Sequence, residues 1–121
     1  MFILPIFLLP QIGASTEKVY AEFVISSKCV TSVELINNDQ SWDLAIIIND
    51  ISANKMKVFS NKNIQRLVSI TNGNGVTLYT AKIQGEISNH FLIKLNNSKP
   101  IAQKFKKYIT GSMANCGIIK K

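Results

Sequence analysis

No stretch of this 121-residue chain is apolar over the ~20 residues that a bilayer-spanning helix needs. Histidine occurs once, at His90, and cysteine only at Cys29 and Cys116. Structural zinc takes four ligands of the Cys, His or carboxylate type, so no metal site is expected from this inventory. The acids Glu17, Glu22, Glu34, Asp39, Asp43, Asp50 and Glu86 are scattered, whereas general acid–base chemistry wants a positioned imidazole or a carboxylate pair. Asp39, Asp43 and Asp50 flank an apolar run without the spacing of a calcium loop. Gly73 and Gly75 are not followed by a helical pattern, so they form no phosphate cradle. His90 precedes a strand-like segment, where an exposed or capping role suits it. The expectation is a non-enzyme that needs no cofactor.

What is present begins with Met1 to Pro10, an uncharged apolar block too short to cross a bilayer and followed by the small residues Gly13, Ala14 and Ser15. This reads as a signal peptide over residues 1–14, with cleavage after Ala14, although no Lys or Arg precedes the apolar core. A misassigned start and a buried N-terminal strand are the other readings. The remainder, 15–121, has the length of one domain with a modest core. All charged residues lie in it, 14 Lys plus Arg against 7 Asp plus Glu, for a formal charge of +7. A basic balance favours acidic partners or anionic surfaces without fixing a fold. The expected location is periplasmic or secreted, with no stable membrane insertion once the leader is removed.

Two cysteines in a small exported domain usually pair, and Cys29 with Cys116 would close a loop of roughly 87 residues, a contribution of about 4–5 kcal/mol in the chain-entropy treatment. Two unpaired buried thiols are the other reading.

Val19 to Ile25 alternates apolar and polar residues, as does the run Thr31, Val33, Leu35, the period of half-buried strands. Leu44 to Ile48 is a continuous β-prone run suited to a central strand covered on both faces. Ser52 can cap a helix over about 52–63, with Ala53, Met56 and Phe59 at helical spacing. Arg66 to Thr71 and Val76 to Ile83 flank Asn72-Gly73-Asn74-Gly75, a hairpin signal. Phe91 to Leu95 reads as the last strand. Beyond Ser98, Ile101, Phe105, Tyr108 and Ile109 share one face of a second helix that Gly111 ends. The fold class is α+β, an antiparallel or mixed sheet of five to six strands with two helices packed on one face.

From the central strand onward this order resembles the periplasmic head domain of SecD, an accessory subunit of bacterial protein export. The residues that carry the likeness are the helix through Phe59, the turn Asn63-Ile64-Gln65-Arg66-Leu67, the strand ending at Asn72-Gly73, the strand Val76 to Ile83, and Gln84-Gly85-Glu86-Ile87. The likeness spans about residues 44–109. Gln65 stands where the family has a turn glycine and Ala81 where it usually has proline. The family's transmembrane helices have no counterpart in this sequence, so a part in driving translocation is not carried over. The resemblance implies a free-standing exported domain of that fold, and a non-enzymatic module that contacts polypeptide chains.

Lys104, Lys106 and Lys107 lie off the apolar face of the second helix, as a solvated surface or a docking surface for an acidic partner. Trp42, beside Asp43 at a strand start, is either core or a protein-binding anchor. Nucleic acid is not an expected partner, because Phe105 and Tyr108 on the basic helix belong to its core face and are not free to stack on bases. Two functions fit. One is an exported binding module of the bacterial envelope that contacts another protein or polypeptide. The other is a periplasmic inhibitor or immunity protein that neutralises an envelope-acting toxin or hydrolase through its basic surface.

Overall fold

The computed structural model describes residues 18–120, so the leader read at 1–14 and its cleavage site lie outside the described residues. The architecture is α+β. Seven strands and two helices follow in the order β1 (Ala21–Val24), β2 (Val30–Asn38), β3 (Ser41–Ile48), α1 (Asp50–Lys62), β4 (Leu67–Thr71), β5 (Thr77–Lys82), β6 (His90–Asn97), α2 (Lys99–Thr110) and β7 (Gly117–Lys120).

The strands do not form one sheet of five to six. They divide into a mixed four-stranded sheet, β5-β4-β1-β7, and an antiparallel three-stranded sheet, β2-β3-β6. The seventh strand is β7, which runs antiparallel to β1 and pairs Val24 with Gly117 and Ala21 with Lys120. Phe91 to Leu95 is therefore not the last strand. The helices find different neighbours: α1 lies along β7, and α2 packs on β2, β3 and β6.

Position within each sheet decides which strand is doubly covered. β1 is central, parallel to β4 and antiparallel to β7, and its successive residues Phe23 and Val24 are both buried. Its alternation had suggested a strand covered on one face only. The run Leu44 to Ile48 is central in its own sheet, with Leu44, Ile46 and Ile48 facing the core, yet Ile47 on the other face is 41% exposed. An antiparallel sheet can leave one face to water, and this one does.

Helix α1 starts earlier than its Ser52 signal. The cap is Asn49, whose Oδ1 accepts from the Ser52 N–H at 2.9 Å, so Ser52 lies within the first turn. Asn and Ser are comparable caps, and Asn49 follows directly on β3. Met56 and Phe59 then point into the core, and the Phe59 ring meets Phe23 edge-on at 5.4 Å. Helix α2 carries Pro100 in its first turn, where a missing N–H costs nothing, and closes at Gly111, whose N–H donates to Lys107 O. Ala102 and Ile109 are its buried residues. One apolar cluster joins both sheets and both helices through Phe23, Ile46, Phe59, Ile70, Ile93 and Ile109.

The β4–β5 hairpin is built around Asn72. Its Oδ1 accepts from the N–H groups of Asn74 and Val76, and its Nδ2 donates to Tyr108 O at 3.0 Å, tying the turn to α2. Gly73, at φ 80°, lies so close to Ala114 that a Cβ there would overlap it. The turn is thus a docking point for the segment after α2 as well as a reversal.

Candidate functional site

Trp42 is the second residue of β3 and pairs across to Asn37 on β2 and Asn97 on β6. It is half-buried and packs against the core cluster. The Lys99 ammonium sits 5.1 Å from the centre of its ring, a cation over the indole face. The core reading of Trp42 thus holds for one part of the side chain, while its ring face carries Lys99, the first residue of α2. Next to it, Asp43 is the one buried acid among the described residues, and its Oδ1 accepts from the Asn96 N–H at 2.9 Å. That bond holds the β3–β6 irregularity between Trp42 and Leu44.

The three lysines do not form a single solvated row. Lys104 and Lys107 are exposed, whereas Lys106 is half-buried. Lys106 lies toward β2, where it lines a hollow of about 360 Å³ with Leu35, Gln103, Lys107 and Thr110. The hollow brings together Lys106 and Lys107 and leaves out Lys104 and Trp42.

Cys29 and Cys116 are joined in a disulfide, with Cα atoms 6.2 Å apart. Hydrogen bonds stitch the surrounding backbone in the same sense. Ser26 Oγ donates to Ala114 O and Ser27 Oγ donates to Ser112 O, both at 2.6 Å, while Lys28 Nζ donates to Asn115 Oδ1 at 3.0 Å. The bridge and these bonds deliver β7 to the edge of β1.

His90 is exposed at the start of β6, its Nδ1 3.4 Å from Asn89 Oδ1. Glu86 accepts from the Asn61 side-chain amide. Among the described residues, no three His, Cys, Asp or Glu side chains gather as a metal-holding group.

Sequence reasoning passed over a groove. β5 pairs only with β4 and β6 only with β3, so each strand has one edge without a strand partner among the described residues, and these two strands approach each other. Beside this approach lies a groove of about 350 Å³, formed by one face of β4 and β5, the 83–87 segment and the start of β6. Val68, Ile70, Tyr79, Ile83, Ile87 and Phe91 give it an apolar lining, and Lys82, Gln84 and Glu86 add polar groups. Leu92 also lines it and is 50% exposed. The signal was the run Phe91-Leu92-Ile93. A strand can turn only alternate residues to one face, so the middle residue of three large apolar ones must look elsewhere.

Compared with protein-family models and with curated proteins, the chain matches none.

Proposed function

We propose that this protein is an exported, non-enzymatic binding module of the bacterial envelope that holds an extended polypeptide segment against the edges of β5 and β6. The observation that carries this reading is the apolar groove beside two sheet edges. A strand edge offers a row of backbone donors and acceptors, and a segment laid along it gains main-chain hydrogen bonds while its alternate side chains enter the apolar lining. Exposed edges of this kind are normally blunted, because they invite pairing with any extended chain. The disulfide and the N-terminal apolar block favour an oxidising compartment outside the cytosol, where such segments are displayed during export and assembly.

The likeness to the SecD head domain belongs to the same proposal. Gln65, at the position of the family's turn glycine, has φ 67°, the left-handed conformation that glycine adopts most readily.

The test has two parts. Mass spectrometry of the natural protein should find a chain beginning near Ser15 in the extracytoplasmic fraction; an intact Met1 on a cytosolic species overturns the export half. For the groove, a labelled peptide alternating Val and Thr is titrated into the folded protein and followed by fluorescence anisotropy. Leu92→Asp should weaken capture at least about tenfold, since it sets an unpaired charge in an apolar contact, with circular dichroism unchanged because the side chain is half exposed. The same peptide methylated on its backbone nitrogens should fail to bind. Equal affinity of the methylated peptide, or of the Leu92→Asp variant, rejects strand addition. Capture of one folded enzyme-like partner with no affinity for extended peptides would instead mark an inhibitor or immunity protein.

A further inference from the structure

We propose a second binding surface, distinct from the β5–β6 groove: the hollow between β2 and α2, which takes an extended acidic segment of another protein. Three observations converge there. β2 is an edge of its sheet and pairs only with β3, so its other side is open to a strand of another chain among the described residues. The hollow beside that edge is lined by Lys106 and Lys107, by the Gln103 amide and by the apolar side chain of Leu35. No carboxylate lines it, and helix α2 contains no acidic residue at all. Glu34, the nearest acid along β2, follows the strand alternation onto the face opposite Leu35, away from α2.

The chemistry of the occupant follows. A strand laid along β2 directs every second side chain to one face of the sheet, so a segment with acids at alternate positions places carboxylates over Lys106 and Lys107 while its backbone bonds the edge. Both lysines line the same hollow, and the formal charge of +7 draws such a chain in from a distance. An anionic membrane fits less well. Membrane-surface helices insert large apolar side chains beside their lysines. On α2, Phe105, Tyr108 and Ile109 are turned toward the core, Ile101 is half-buried, and no large apolar residue of the helix is exposed among the described residues.

The experiment uses the oxidised, folded protein with three probes: a peptide alternating Val and Glu, the same peptide with Gln for Glu, and vesicles of phosphatidylglycerol. Amide chemical shifts locate the contact and a titration gives the affinity. The Glu peptide should shift residues of β2 and of the 103–110 segment, bind more tightly than the Gln peptide, and weaken as ionic strength rises. Lys106→Gln with Lys107→Gln should cost about five- to tenfold, the sum of two charge contacts, one exposed and one half-buried. Because Lys106 is half-buried, Lys107→Glu alone serves as the variant least able to disturb the fold, and it too should weaken the Glu peptide. Leu92→Asp should leave this binding intact, which separates the failure of one surface from that of the other. Equal affinity for the Glu and Gln peptides, lysine variants that bind as well as the parent, or shifts confined to β5 and β6 would overturn the proposal. So would tight binding of the vesicles with none of the peptide.

Discussion

Replacing both cysteines, Cys29→Ala with Cys116→Ala, is expected to lower the unfolding free energy by about 4–5 kcal/mol, the loop-closure entropy that a bridge across a separation of 87 residues removes from the unfolded chain. A domain of this size has only about 5–15 kcal/mol to lose, so the variant should sit close to the edge of folding. Urea unfolding followed by circular dichroism measures the effect, and reduction of the parent protein should reproduce it. The bonds from Ser26 and Ser27 to the segment after α2 remain in the variant, but each contributes only about 0.5–1.5 kcal/mol and cannot replace the tether. An unfolding midpoint that does not move with the cysteines replaced would show that these bonds alone hold β7 in place.

The second large effect is expected at Phe59. Its ring is 1% exposed and meets Phe23, itself wholly buried, where α1 lies over the four-stranded sheet. Phe59→Ala removes this filling and should cost about 3–5 kcal/mol, with the lost edge-to-face contact accounting for about 0.5–1.5 kcal/mol of it. Val58, the preceding residue, is 48% exposed, and Val58→Ala should stay within about 0.5 kcal/mol. The pair makes a measurement that is insensitive to any general intolerance of substitution in α1. Equal losses at both positions would mean that the helix is bound by something other than its buried face.

Much of this was legible in the residues. The period of Met56 and Phe59 placed the buried face of α1, the Asn-Gly pairs placed the β4–β5 hairpin, and the apolar face of α2 with Gly111 placed that helix and its end. Cys29 and Cys116 pair, as the presence of just two cysteines in a small domain suggested. What was not legible is long-range. Gly117 to Lys120 is too short to show alternation, and it pairs as a strand where the disulfide and the bonds from Ser26, Ser27 and Lys28 bring it to the edge of β1. The doubly buried state of β1 depends on neighbours from distant parts of the chain, which its own pattern cannot report. For the same reason the run Phe91-Leu92-Ile93 could signal an outward apolar residue but not the groove itself, which forms where residues of β4, β5 and the 83–87 segment meet β6. Lys106 illustrates the limit for the candidate site: helical spacing put it off the apolar face, but the position of β2 decides that it is half-buried while Lys104 is exposed.

The placement of β1 has a consequence for the order of events in time. The three-stranded sheet begins with a hairpin, β2 with β3, whose partners are close in sequence and can meet as soon as they are available. β1 comes earlier but must wait, because its neighbours are β4 in the middle of the chain and β7 near its end. Pairings between distant segments are slow, since the intervening chain must be closed into a loop before any contact is gained. On this topology β2 is expected to meet β3 early, whereas the four-stranded sheet is complete only once residues 117–120 are in place. The larger sheet is thus expected to close last, and the Cys29–Cys116 bridge then fixes that closure by joining the segment that follows β1 to the one that completes the sheet.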